Sequence, residues 1–166
     1  MTFVSRMPND KHQRYYMIGT MRPIAIILLV LASCSRDTNQ TSTSSSKAEE
    51  AAIQLVLDQQ VAAWNKANID EFMKGYWKSD SILFIGSKIT SGWDSTLLRY
   101  KKSYPDKVAM GKLRFEILRM DFISSDSYLV TGKYFLAREK DNPSGIFTLL
   151  FRKKKGNWVI VYDHTS

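Results

Sequence analysis

The chain has 166 residues, of which 44% are hydrophobic, 12% aromatic and 24% charged, values that fit one globular domain with additions. The net charge is +8, part of it from Arg6, Lys11, Arg14 and Arg22 near the N-terminus. The mild remainder suits an anionic surface or an acidic ligand and gives no ground for a nucleic-acid partner. The single cysteine, Cys34, excludes an intramolecular disulfide and a cysteine-built metal site.

Residues 24–32 read IAIILLVLA. This apolar run is far shorter than the roughly 20 residues a membrane-spanning helix needs. Arg22 precedes it and the small residues Ala32 and Ser33 follow, the positive–apolar–small plan of a secretory signal. The segment Leu31-Ala32-Ser33-Cys34 resembles the lipobox of bacterial lipoproteins. The resemblance implies cleavage before Cys34, lipidation of its thiol, and membrane lipid as a partner. Two or three acyl chains on one residue hold a protein at a bilayer, because each buried methylene contributes about 0.8 kcal/mol. We therefore expect residues 1–33 to be a signal peptide. Residues 1–16 are polar and read as an over-extended start, with Met17 or Met21 the better initiator. Serine rather than aspartate at position 35 leans, by the same resemblance, toward the outer rather than the inner membrane of the cell envelope.

Residues 35–47, SRDTNQTSTSSSK, lack any large apolar side chain. Such a stretch cannot bury enough surface to offset the entropy of ordering its backbone, so residues 34–47 are expected to be a lipidated cysteine and a flexible tether.

From Ala48 to about Ala67, Ile53, Val56, Leu57, Val61 and Trp64 recur at helical spacing, with Glu49 and Glu50 expected in the first turn. Asn68 is expected to cap a second, short helix, with Glu71 reaching back to it. Ser81–Gly86 is a short apolar run that reads as a strand, and a brief strand follows around Lys88–Thr90. Ser91 is expected to cap a third helix, which carries Trp93, Leu97, Tyr100 and Tyr104 along one face and stops at Pro105. From Lys112 the period becomes two. Strands are expected over about 112–123, 127–139, 145–154 and 157–165, joined by turns rich in Ser, Asp, Asn and Gly. Short turns between consecutive strands make an antiparallel meander, and helices on one side of it give an α+β domain over residues 48–166.

This layout resembles the nuclear transport factor 2-like superfamily, which includes ketosteroid isomerases and SnoaL-like polyketide cyclases, and looks closest to the SnoaL-like (DUF4440-type) branch. The likeness is carried by Trp64-Asn65, Gly92-Trp93, Gly145-Ile146-Phe147-Thr148-Leu149, and Gly156-Asn157-Trp158-Val159-Ile160 leading into Asp163-His164-Thr165-Ser166. It implies a cone-shaped, strongly curved antiparallel sheet packed against about three helices, with a pocket between them. Members include isomerases, cyclases, dehydratases and non-enzymatic binders, and fold does not choose among them.

By period two, Trp158, Ile160, Tyr162, His164 and Ser166 share one face of the last strand, and Val159, Val161, Asp163 and Thr165 take the other. The family likeness favours the His164 face as the concave one. A histidine there is a candidate acid or base near neutral pH. Asp163 points the opposite way on a regular strand, so an Asp163–His164 dyad would need a bulge. Ketosteroid isomerases, by resemblance, pair an Asp base with a Tyr and a protonated Asp, a trio that Asp121, Asp126 and the tyrosines do not clearly reproduce. Arg138 shares parity with Tyr134 and Leu136 and is a candidate for binding a carboxylate. Trp64, Tyr76, Trp93, Tyr100, Tyr134 and Phe147 are candidate pocket walls. Lys153-Lys154-Lys155 reads as a solvated hairpin tip that could rest on anionic lipid. There is no metal-ligand spacing, phosphate loop or GxSxG elbow, and no cofactor is expected.

The leading expectation is a lipid-anchored domain that binds a small, partly apolar molecule. The alternatives are an isomerase, cyclase or dehydratase using His164, and a homodimerising interaction module.

Overall fold

The structure, a computed structural model, describes residues 38–166, with side chains from residue 46 onward. The expected signal peptide, the lipidation site Cys34 and the start of the tether lie outside the described residues.

Helix α1 spans Thr38–Asn65. It begins within the Ser/Thr segment expected to be a flexible tether, so over 38–47 the backbone is helical where the composition suggested otherwise. Glu49 and Glu50 accordingly lie within the helix and not in its first turn. Ile53, Leu57, Gln60 and Trp64 form the inward stripe of α1, all buried, while Leu55 on the opposite side is exposed. Ala67 takes a left-handed φ of 57° and ends the segment.

Asn68 then caps α2 (Ile69–Phe72), its side chain accepting from the Glu71 amide at 3.0 Å. Only half of the expected capping box forms, because the Glu71 carboxylate turns to Lys74 at 2.6 Å. A 3-10 turn, Met73–Gly75, follows. Strands β1 (Leu83–Ile85) and β2 (Ile89–Ser91) form a small hairpin. Helix α3 (Trp93–Ser103) is entered through Gly92 at φ 88°, a left-handed conformation suited to glycine, and not through the side chain of Ser91. A single turn, α4 (Lys107–Met110), is capped by Asp106 and was not foreseen.

Four long strands complete the chain: β3 (Lys112–Ser124), β4 (Ser127–Ala137), β5 (Ser144–Lys154) and β6 (Asn157–Thr165). The six-stranded sheet has the order β2-β1-β6-β5-β4-β3. The β3–β6 meander is antiparallel as expected, but β1 joins β6 in parallel, so the sheet is mixed. The helices cover one face of this curved sheet in a single α+β core.

Two polar side chains near the end of α1 lock it to β3 and to α4. Asn65 pairs with the backbone of Leu113, donating to its carbonyl at 3.1 Å and accepting from its amide at 2.8 Å. The Trp64 indole donates to the Met110 carbonyl at 3.0 Å. At the other end of the contact, Glu49 accepts from Lys153 at 2.7 Å and from the Trp158 indole at 2.6 Å. The lysine run is therefore not a uniform solvated tip: Lys153 is held by Glu49, and Lys154 lies over the Trp77 ring at 4.7 Å.

One irregularity decides what faces the concave side. In the β5–β6 ladder, Phe151 pairs with Ile160 and Leu150 with Tyr162, leaving Val161 as an extra residue. The bulge reverses the parity of β6. Trp158 and Ile160 are buried before it, and Asp163 is buried after it, while His164 is exposed.

Candidate functional site

The bulge places a carboxylate in an aromatic chamber. Asp163 is 3% exposed. Its Oδ2 accepts from the Tyr76 hydroxyl and its Oδ1 from the Thr165 hydroxyl, both at 2.6 Å. The Tyr100 hydroxyl lies 3.3 Å from that of Tyr76, extending the network toward α3. Tyr76 reaches this position because the chain after the 3-10 turn runs briefly alongside β6: Tyr76 bridges Ile160, and the Trp77 amide donates to the Ile160 carbonyl at 2.9 Å.

The surrounding cavity has a volume of about 150 Å³. Drug-sized ligands usually occupy roughly 300–1,000 Å³, whereas an apolar cavity of about 150 Å³ holds benzene. The walls are chiefly aromatic and aliphatic. Phe72 meets Trp64 edge-on at 5.1 Å and Tyr100 at 5.2 Å, and Phe84 meets Tyr100 at 5.6 Å. On the sheet side, Phe147 packs against Phe115 at 5.1 Å. Phe147 fits there because its cross-strand partner is Gly132, where a Cβ would fall 2.4 Å from the Phe147 ring.

Burial pushes the Asp163 carboxyl up to about 6, against the hydrogen bonds from Thr165 and Tyr76 and the charges of His164 and Arg99, which act downward. Burial first, then the neighbouring Asp163 carboxylate, holds the Tyr76 and Tyr100 phenols well above their ordinary value. Both phenols therefore stay protonated at neutral pH, with Tyr76 donating to Asp163, the acid of the network that is shifted toward neutrality. Arg99, from α3, also lines the cavity, with its guanidinium 4.7 Å from the centre of the Phe84 ring.

Of the residues expected from sequence, Trp64, Tyr76, Tyr100, Tyr134 and Phe147 line this cavity. His164, Trp93 and Arg138 do not. His164 is on the far face of the sheet for the reason given above. The Trp93 indole donates to the Met73 carbonyl at 3.0 Å and braces the 3-10 turn. β4 stops at Ala137, so the parity that aligned Arg138 with Tyr134 lapses; its guanidinium donates to the Ala109 carbonyl at 3.1 Å and pairs with Asp141 at 2.7 Å. Asp163, Thr165 and Arg99 were missed. A signal existed for the first two: an Asp and a Thr at i, i+2 put two polar groups on one face where an apolar strand ends. Among the described residues, no group of three or more His, Cys, Asp or Glu gathers to hold a metal.

The model of the SnoaL-like domain family matches residues 53–166. A crystal structure of an NTF-2-like protein of unknown function from Shewanella oneidensis MR-1 is 41% identical, covers 71% of this chain and 98% of its own, and superposes with a TM-score of 0.69. A putative calcium/calmodulin-dependent protein kinase type II association domain from Thiobacillus denitrificans shares the fold at 17% identity and TM-score 0.58, covering 68% of this chain and 92% of its own. A ketosteroid isomerase-like protein from Erwinia carotovora atroseptica does so at 19% identity and TM-score 0.54, covering 70% and 93%. No curated protein matches the sequence.

Proposed function

The chain belongs to the SnoaL-like domain family, and from that footing we propose that it binds a small, partly apolar molecule in the cavity around Asp163. The observation that carries this reading is the buried carboxylate itself. Each carboxylate oxygen has about two acceptor sites, and Thr165 and Tyr76 use one on each oxygen. No further donor among the described residues uses the remaining sites, which can take a hydroxyl or amide hydrogen from a ligand whose ring lies among Phe72, Phe115 and Phe147. Ligand titration by calorimetry with phenol as the probe tests the reading. Saturable binding that is lost in Asp163→Ala supports it, and heat no different from dilution contradicts it.

A second reading is favoured by one specific feature. A carboxyl pushed up to about 6 beside a fixed phenol donor is placed for proton transfer in the manner of an isomerase, cyclase or dehydratase. In that reading the base is Asp163, held by Tyr76, whose one hydroxyl hydrogen it accepts, and the polarising donor is the neighbouring Tyr100 hydroxyl, in place of His164. Turnover with a bell- or step-shaped dependence on a pKa near 6, abolished in Asp163→Asn, distinguishes it from binding alone.

We also propose that the mature protein is anchored by lipid on Cys34, a reading supported by the lipobox-like sequence. Labelled palmitate should be incorporated into the wild type and not into Cys34→Ala; incorporation into neither would end this reading.

A further inference from the structure

We propose that the molecule bound around Asp163 is a small ring compound carrying a hydroxyl at one end and a carboxylate at the other, with Arg99 at the cavity rim selecting the carboxylate. This rests on the binding reading above and narrows it to a ligand class.

The inference comes from what Arg99 does with its two amine groups. Nη1 donates to the Lys88 carbonyl at 3.0 Å and to the Thr90 hydroxyl at 3.2 Å. These bonds tie α3 to the β1–β2 hairpin and fix the plane of the guanidinium. The face of the group is covered by Phe84 at 4.7 Å. Nη2 has no hydrogen-bond acceptor among the described residues, nor does Arg99 form an ion pair there. The same Nη2 lies 3.0 Å from where a Cβ on Gly86 would stand, beside the end of β6. A glycine at position 86 leaves the guanidinium room on that side. The result is an oriented cation lining the same cavity as Asp163, with an open donor edge.

The two charges differ in depth. Asp163 is almost fully buried, whereas Arg99 is half-buried. A ligand entering past Arg99 therefore meets a cation first and a more deeply buried hydrogen-bond acceptor after it. An amine would satisfy Asp163 but would have to pass the Arg99 cation on the way in. A hydroxyl presented to Asp163 with a carboxylate presented to Arg99 satisfies both groups, and charge-assisted bonds to arginine are the stronger kind. The chamber between them is apolar and, at about 150 Å³, takes a single ring.

Calorimetry with four probes at neutral pH tests this: phenol, 4-hydroxybenzoate, its neutral isostere 4-hydroxybenzamide, and benzylamine. We expect 4-hydroxybenzoate to bind at least about tenfold tighter than phenol or 4-hydroxybenzamide, with benzylamine weakest. Arg99→Gln should erase that gain of 4-hydroxybenzoate over 4-hydroxybenzamide, and Arg99→Lys should restore part of it. The gain should also shrink as salt is raised. If phenol binds and the carboxylate adds nothing, or if Arg99→Gln keeps the gain, the ligand class is wrong while the binding reading stands. If benzylamine binds tightest, Asp163 selects a cation and the class is likewise wrong. If no probe binds, the binding reading fails and this inference falls with it. Should Arg99→Gln fail to fold, the wild-type comparison of 4-hydroxybenzoate with 4-hydroxybenzamide decides alone.

Discussion

The Tyr76 hydroxyl donates to Asp163 Oδ2 at 2.6 Å, joining the residue that follows the short 3-10 turn to the end of the last strand, 87 positions later. Both residues line the cavity. The bond also stabilises a charged group that burial alone would neutralise. The properties of the site follow from that balance between desolvation and hydrogen bonding.

Asp163 makes stability depend on pH in a defined direction. Its folded pKa of about 6 exceeds the ordinary 3.8, so between those values the folded state holds more protons than the unfolded one. Its contribution is therefore fully present below about pH 3.8 and is lost as pH rises through about 6. The difference amounts to about 3 kcal/mol at neutral pH. Asp163→Asn, which removes the charge and keeps the shape, should raise the unfolding free energy relative to wild type at pH 7.5. The advantage should vanish near pH 4. Urea denaturation at the two pH values measures it.

Tyr76→Phe removes a donor to the ionised form of Asp163. The carboxyl should then titrate above 6, and the carbon-13 resonance of its side chain should follow the shift. Stability at neutral pH should fall by about 1–3 kcal/mol, the cost of losing a bond to a charged, buried group.

Glu49 joins α1 to the sheet through Lys153 and Trp158, and these bonds hold its pKa below the ordinary value. The sign is opposite to that of Asp163: the contribution is present above about 4.5 and is lost as pH falls through the lowered folded value. Glu49→Gln should cost about 1–2 kcal/mol at pH 7. The cost should shrink in acid, as read by thermal unfolding.

Asn65→Ala leaves both the amide and the carbonyl of Leu113 without the side-chain partner they have in the wild type. We expect a loss of about 2–3 kcal/mol. Amide exchange at Leu113 should quicken more than at the centre of β4.

His164→Ala should change stability by no more than about 0.5 kcal/mol and leave phenol binding intact, because the side chain is exposed on the far face of the sheet. A large loss of binding in this variant would mean that β6 lacks the Val161 bulge.

Much of the architecture was legible in the chain. The helical spacing through Ile53, Leu57 and Trp64, the switch to period two after Lys112, and the turn residues around 124–126, 141–145 and 155–157 are local signals, and the strands lie within a residue or two of where they point. The parallel pairing of β1 with β6 is a long-range choice that no local pattern encodes. The cavity walls were legible because aromatics on helix and strand faces converge wherever those faces meet. The identity of the charged group was not. Alternation predicts which side chains share a face only while the register is regular, and one extra residue exchanged His164 for Asp163. Val161 is as apolar as its neighbours and gives no sign that it will bulge. Arg138 was misplaced for a related reason: parity was extended one residue past the end of its strand. Arg99 was missed because it lies on a helix face whose partner, the β1–β2 hairpin, is fixed only by tertiary packing.

The most direct test of the central claim is a protein-observed NMR titration of the folded domain with phenol. The account predicts saturable shifts for Asp163, Tyr76 and Phe147, absent in Asp163→Ala, with His164 unmoved. Shifts confined to the outer sheet face, or shifts at the cavity that persist unchanged in Asp163→Ala, would contradict it.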